Sequence, residues 1–264
     1  MNLERYKRQI AIRTLGVEGQ EKLRQSRVAI IGAGGLGSVI SEQLCRSGVG
    51  YLKITDRDIV EITNLHRQIL YDEEDARRKR PKAVTAAEHL SKMNSEVHIE
   101  PLDISVDASC IDDIIGDVHL VLDATDNFET RMLIGEACQK HRIPWIYGAV
   151  LGTSGAVMNV FPDGSTRPDG SPFPTGGPCL RCLFGGLPEK GSYPTCDTEG
   201  VLPMIVSVVG SIQASEAIKI LSGNPKLNTM YLSIDLWEES FDYIEIQKAE
   251  NCPLCVQNKY ELLL

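Results

Sequence analysis

The residues best suited to chemistry begin with a glycine turn. Gly32-Ala33-Gly34-Gly35-Leu36-Gly37 follows a short apolar run, Val28 to Ile31, and precedes a helical pattern that ends near Gly48. A second apolar run, Tyr51 to Thr55, finishes on Asp56. Strand, turn, helix, strand and acid in this order form a nucleotide-binding unit, with the acid placed for a ribose hydroxyl. Gly32 suits the tight turn, Gly34 and Gly35 let phosphate approach the backbone, and Gly37 lets helix and strand pack closely. The helix start offers unpaired N–H groups to an anion. Alone, the fingerprint fits NAD or FAD as well as any other nucleotide.

Three groups downstream shift the reading to ATP. Arg67 lies in the polar stretch after Asp56, within Asn64-Leu-His-Arg67-Gln68; Lys82 sits in the first turn of a predicted helix; Asp126 ends a later strand. Open α/β sheets bind ligands at such strand ends. Two cations and an acid around a glycine turn suit a triphosphate with Mg²⁺: the acid holds the metal and the cations stabilise departing pyrophosphate. A dehydrogenase needs none of the three. Each has a plainer alternative: Arg67 on a solvated loop, Lys82 in a surface charge run with Arg77, Arg78, Lys79 and Arg80, Asp126 as a helix cap near Glu129.

Cysteine spacing carries a second signal. Cys179/Cys182 and Cys252/Cys255 form two CxxC pairs. A two-residue spacer lets both sulfurs of a pair reach one ion, and four thiolates complete a tetrahedral Zn²⁺ site. With every position filled by protein, such a site is structural, with about 10 kcal/mol or more of metal-linked folding energy. Cys196, outside the pairs and just before a long helix, is either an activated thiol or an inert loop residue. Cys45, Cys110 and Cys138 fall within helical patterns and read as packing residues.

The elements that must position these groups follow from hydrophobic period. The chain has 264 residues, a 42% hydrophobic share and a net charge of −9. That is the composition of a globular domain without bulk attraction to nucleic acid or to an acidic membrane. No apolar run reads as long enough to cross a bilayer and the start resembles no signal peptide, so a cytoplasmic protein is the expectation. Helices are predicted over 3–25, 82–93, 110–115, 128–141 and 201–221, and strands over 97–102, 118–124, 144–149, 155–161, 230–236 and 241–247. The fold class is α/β: a Rossmann-like mixed sheet, parallel in its nucleotide-binding half and antiparallel in its C-terminal strands, flanked by helices. One domain spans 1–264, divided into N-terminal helices (1–26), a nucleotide-binding half (27–161), a Pro- and Gly-rich mobile crossover loop (162–200), and a C-terminal helix, hairpin and zinc-binding tail (201–264).

Taken together, these motifs resemble the ThiF/MoeB/HesA family, prokaryotic relatives of ubiquitin-activating enzymes. The matching stretches are Arg5-Tyr6-Lys7-Arg8-Gln9-Ile10, the glycine turn, Asp56-Arg-Asp58, Asn64 to Gln68, Pro81-Lys82, Asp123-Ala-Thr-Asp126-Asn127, both CxxC pairs and Thr195-Cys196-Asp197. Only the insert from about 163 to 177 and the tail after Cys255 fall outside. Asp126-Asn-Phe-Glu-Thr-Arg131, Ile143 to Gly148 and Thr195 to Thr198 are most similar to ThiF-type enzymes of thiamine synthesis. The resemblance implies ATP-dependent adenylation of the C-terminal glycine of a ubiquitin-like sulfur carrier ending in Gly-Gly, either the thiamine carrier or the molybdopterin carrier. It implies an ATP site of Gly34, Gly35, Asp56, Asp58, Asn64, Arg67, Gln68, Lys82, Asp126 and Asn127, with Asp126 on Mg²⁺. Arg67, Lys82 and Arg8 would grip the β,γ-phosphates, Arg8 being lent across a homodimer. Cys196 matches the cysteine that some members use to join the carrier or handle sulfur from a donor protein. The rival classes are an NAD-dependent oxidoreductase and a non-catalytic zinc scaffold.

Overall fold

The computed structural model describes residues 3–173, 176–186 and 196–263, with the backbone alone at Cys196 and Asp197. Two short helices, α1 (Lys7–Ile10) and α2 (Gly16–Gln25), lead into β1 (Arg27–Ile31), α3 (Gly35–Arg46) and β2 (Tyr51–Thr55). After α4 (Glu73–Arg77) come α5 (Lys82–Met93), β3 (His98–Leu102), α6 (Ile111–Ile115), β4 (Leu120–Asp123), α7 (Phe128–His141), β5 (Trp145–Leu151) and β6 (Ser154–Val160). Then follow α8 (Leu180–Phe184), α9 (Cys196–Glu199), α10 (Pro203–Ser222), β7 (Tyr231–Asp235) and β8 (Ser240–Ile244).

All eight strands form one sheet in the order β3-β2-β1-β4-β5-β6-β7-β8. The first five run parallel; β5 to β8 pair antiparallel. Alternation along β1 decides what each face covers. Val28 and Ile30 join the core under α3, α5 and α10, whereas Ala29 and Ile31 join the core under α6, α7 and the cysteine-rich tail. Both faces are thus covered, as a parallel sheet requires. Each large aliphatic side chain so buried contributes about 1.5–3 kcal/mol. Strand order reverses between β1 and β4, where Ile31 lies opposite Asp123. That reversal leaves a crevice at the carboxyl ends of these two strands.

Caps explain the helix boundaries. Pro81 precedes α5 in extended backbone, and Asn127 caps α7 by accepting from the Thr130 N–H at 2.9 Å. By length and composition α10 could cross a bilayer, contrary to the sequence expectation. Its apolar surface has a different cause: the helix crosses α3 and the sheet, with Val206, Val209 and Ile205 buried in the core. Contact there is close enough that a Cβ on Gly35 would stand 2.8 Å from Cγ1 of Val206.

The segment read as a mobile crossover is partly packed. Thr166 bridges Pro172, and Phe173 stacks on Phe161 with ring centroids 5.0 Å apart. The residues entering α10 are pinned to the β5–β6 turn, with Gly152 and Val201 bridged. Cys110 also differs from expectation. It precedes α6 in a half-buried turn, its Sγ beside the Ser105 and Asp107 carbonyls, whereas Cys45 and Cys138 are fully buried.

Candidate active site

The glycine turn closes the crevice between β1 and β4. Gly32 has φ +102°, and a Cβ there would lie 2.6 Å from the Ala124 carbonyl, so the turn is pressed against the end of β4. Asp123 ends that strand and Asp126 follows three residues later, exposed at the same edge of the sheet. The α3 amino-terminus starts at Gly34, which offers no side-chain cap to the first N–H groups. They remain available to an anion.

Asp56, at the tip of β2, accepts from the Ala33 N–H at 2.8 Å and from the Asp58 N–H at 2.9 Å. Burial pushes its pKa up, with the nearby Lys82 ammonium pulling the other way. A carboxylate with two backbone donors still has lone pairs for two hydroxyls. Lys82 is tied to the same corner twice. Its N–H donates to the Asp58 carbonyl at 2.8 Å, and its Nζ, almost fully buried, lies 3.0 Å from Asp58 Oδ2. The buried Tyr71 closes the corner by donating to the Ala33 carbonyl at 2.7 Å, with the Lys82 carbonyl 3.3 Å away.

Arg67 and Gln68 reach the turn at Gly35 and Gly34. A 3₁₀ turn, Ile62–Asn64, is braced by a reciprocal cap between Glu61 and Asn64, and the Asn64 carbonyl accepts the N–H groups of both Arg67 and Gln68. Buried Asn64 therefore positions its neighbours. Gln68 is buried, with Nε2 3.7 Å from where a Cβ on Gly34 would stand and Oε1 unpartnered. The Arg67 stem lies beside Gly35, while its guanidinium donates to the Thr63 carbonyl at 3.1 Å. Asn127 is engaged in capping α7, and Asp126 accepts no hydrogen bond among the described residues.

Arg8 is not part of this cluster in a single chain. The neighbouring Gln9 donates to the Ser47 carbonyl at 2.9 Å, at the far end of α3. Twelve residues of helix put that point about 18 Å from the glycine turn, further than an arginine side chain reaches. Cys196 begins α9, against β5; its side chain lies outside the described residues.

The four cysteines of the CxxC pairs converge as their spacing predicts. Sγ–Sγ distances of 3.5 Å (Cys179–Cys252), 3.5 Å (Cys182–Cys255) and 3.9 Å (Cys179–Cys182) bracket the separation of about 3.8 Å in a tetrahedral zinc tetrathiolate. All four sulfurs lie within 4.8 Å of one another. Hydrogen bonds from neighbouring thiols, Cys255 first, bring Cys179 down to about 5, and the same contact pushes Cys255 up. Zn²⁺ in this cage would stabilise all four as thiolates. Between the ligands, Arg181 forms a buried ion pair with Glu136 of α7, whose carboxylate also accepts the N–H groups of Glu261 and Leu262. Phe184 then packs edge-on against Phe128 and Tyr147, bracing the start of α7.

A family model described as the ThiF family matches residues 6–254. The chain belongs to the ThiF family. Among its relatives, the sulfur carrier protein ThiS adenylyltransferase of Bacillus subtilis (strain 168) is 40% identical over 261 residues, covering 98% of this chain and 73% of that protein. The SAMP-activating enzyme E1 of Haloferax volcanii is 37% identical over 254 residues, covering 96% and 88%. The fold matches that of E. coli MccB with AMPCPP and MccA at TM-score 0.80 and 20% identity, over 96% of this chain and 75% of that one. As a ThiF-family protein this close to named adenylyltransferases, the chain is an adenylyltransferase. Around the ThiF-family site, Tyr71, Arg131 and Gln213 are buried and hydrogen-bonded to the strand ends, and no sequence pattern singles them out. Gln213 is buried on α10 and donates to the Asp123 carbonyl at 2.8 Å. Only three-dimensional burial distinguishes such polar residues from surface ones.

Proposed function

We propose that the protein uses ATP and Mg²⁺ to adenylate the C-terminal glycine carboxylate of a ubiquitin-like sulfur carrier, the thiamine-pathway carrier before the molybdopterin one. The observation that carries this reading is the convergence on the glycine turn. Arg67 and Gln68 flank Gly34 and Gly35, and Lys82 stands beside Asp58 in the Asp56 corner. An oxidoreductase has no use for those cations. The choice of a thiamine-type carrier draws on the 40% identity to a ThiS adenylyltransferase.

In this reaction a carboxylate oxygen attacks the α-phosphorus, and the bond to the β-phosphate oxygen breaks. An acyl-adenylate forms as pyrophosphate leaves. The nucleophile is already ionised, so no general base is needed. Asp56 would orient the ribose, and the amides at Gly34 and Gly35 would meet phosphate oxygens. Arg67 and Lys82 would neutralise the β,γ-phosphates, each donor worth about 3–4 kcal/mol in comparable sites. Mg²⁺, held by Asp126, would offset charge on the phosphates. Arg8 would come from a second copy of the chain, because its own α3 separates it from its own site. Cys196, Zn²⁺ at the four cysteines and a sulfur-donor protein complete the proposal: the thiol or the donor's sulfur would attack the acyl carbon, forming a C–S bond as the acyl C–O bond breaks and AMP leaves, and zinc would be structural.

A protein substrate is favoured over a small acid by the β7–β8 hairpin. It exposes Trp237 at its turn and Phe241 and Tyr243 on one face of β8, apolar surface of the kind that marks an interaction site. Incubation with ATP, Mg²⁺ and purified candidate carriers, followed by intact-mass analysis, should reveal an AMP adduct on one carrier. NADH binding with no adduct on any carrier would instead point to the oxidoreductase class.

A further inference from the structure

Arg131 is buried beneath the loop that carries Asp126. Its Nε donates to Asp123 Oδ2 at 2.9 Å. One terminal nitrogen donates to the Thr125 carbonyl at 2.7 Å and the Gly148 carbonyl at 3.2 Å. The other Asp123 oxygen is engaged by Thr125, whose N–H and hydroxyl approach it to 3.0 and 2.6 Å. The guanidinium carbon stands 5.0 Å from the Tyr147 ring centroid. The end of β4, the first turns of α7 and the middle of β5 are thereby joined at Thr125, the residue directly before Asp126.

Asp126 accepts no hydrogen bond among the described residues, so its position is set by its neighbours. A buried ion pair is costly unless its remaining donors and acceptors are matched. Here the guanidinium is matched by two carbonyls from different elements, and the carboxylate by the hydroxyl and N–H of the loop itself. A buried network with this many matched groups rigidifies what it holds.

We propose that Arg131 is a positioning residue: its guanidinium fixes the Thr125 carbonyl and so presents the Asp126 carboxylate to the metal of the bound nucleotide. This rests on the reading of Asp126 as the Mg²⁺ ligand. Lysine at 131 would keep a positive charge, but as a point donor it cannot hold Asp123 and the two carbonyls at once, as Nε and the terminal nitrogen of the guanidinium do. Valine at 125 would remove only the hydroxyl contact.

The test is titration of Mn²⁺, followed by electron paramagnetic resonance, into enzyme saturated with the ATP analogue AMPCPP. Arg131→Lys should raise the Mn²⁺ Kd about tenfold and Thr125→Val about threefold, sizes fitting lost hydrogen bonds. Metal-free AMPCPP affinity and zinc content should stay at wild-type values, and Asp126→Ala should show no nucleotide-dependent Mn²⁺ site. If Asp126→Ala loses the site while both other variants bind Mn²⁺ as wild type does, the positioning role is overturned and the reading of Asp126 stands. If Asp126→Ala binds Mn²⁺ normally, the assignment of Asp126 itself is wrong. Should Arg131→Lys fail to fold, Arg131→Gln takes its place, with the same loss of Mn²⁺ affinity expected and wild-type affinity overturning the positioning role.

Discussion

Lys82 Nζ lies 3.0 Å from Asp58 Oδ2, and the Asp58 N–H is bound in turn by Asp56. The proposed pyrophosphate-binding cation is therefore aimed by an acid two residues beyond the proposed ribose acid. Lys82→Ala should lower the rate of carrier adenylation about 100-fold or more, and Asp58→Asn about tenfold. Because both act through one ammonium, the double variant should be no slower than Lys82→Ala. Initial rates for the four proteins check this; fully additive losses would refute the coupling.

Neighbouring glycines separate binding from packing. A Cβ on Gly34 meets nothing nearer than Gln68 Nε2 at 3.7 Å, whereas one on Gly35 would stand 2.8 Å from Val206. Gly34→Ala should keep wild-type stability and weaken ATP binding about tenfold. Gly35→Ala should destabilise by about 1–3 kcal/mol through overpacking. Denaturant unfolding beside nucleotide titration distinguishes the two, and a reversed ranking would contradict the geometry.

Arg8 offers a test of the shared site. If each site combines Arg8 of one chain with Asp126 of the other, Arg8→Ala and Asp126→Ala are each inactive alone. Co-expressed in equal amounts, half the dimers are mixed and each has one intact site, so about a quarter of wild-type activity returns. No recovery in purified mixed dimers would place Arg8 elsewhere.

The cysteine cage predicts a metal-dependent fold. Cys252→Ser should lose zinc by elemental analysis and lower the thermal midpoint by at least about 10 °C. Adenylation should fall as well, since Phe184 braces Phe128 beside the Asp126 loop. A zinc-free variant with an unchanged midpoint would show that the cage is dispensable.

Much of this was legible in the chain because local signals agreed with the tertiary outcome. The α5 and α7 spans match their predicted ranges, since apolar period and flanking residues point the same way. The stretch between Asp56 and Pro81 is less legible. It reads as irregular polar loop, yet it contains α4, capped by a reciprocal pair between Asp72 and Asp75 that the sequence did display. Short helices such as α4 and α8 offer too few turns for a period to emerge. Polar residues that bury themselves leave no pattern at all. Arg131 follows Asp126 within a polar phrase, and Gln213 lies on an otherwise apolar helix, so neither is marked by its surroundings in the chain. Gly35 reads as a phosphate contact in the sequence, and its missing Cβ also makes room for Val206, 171 positions later in the chain.

The most direct test of the central claim is ATP–pyrophosphate exchange with Mg²⁺ and a purified carrier ending in Gly-Gly, comparing wild type with Arg67→Ala. Exchange should require the carrier's terminal glycine and fall at least about 100-fold in the variant. The variant should unfold as wild type does, since Arg67 is partly exposed and, among the described residues, its side chain donates only to the Thr63 carbonyl and His66. Exchange that persists undiminished in Arg67→Ala, or that proceeds equally with a carrier lacking its terminal glycine, would contradict the account.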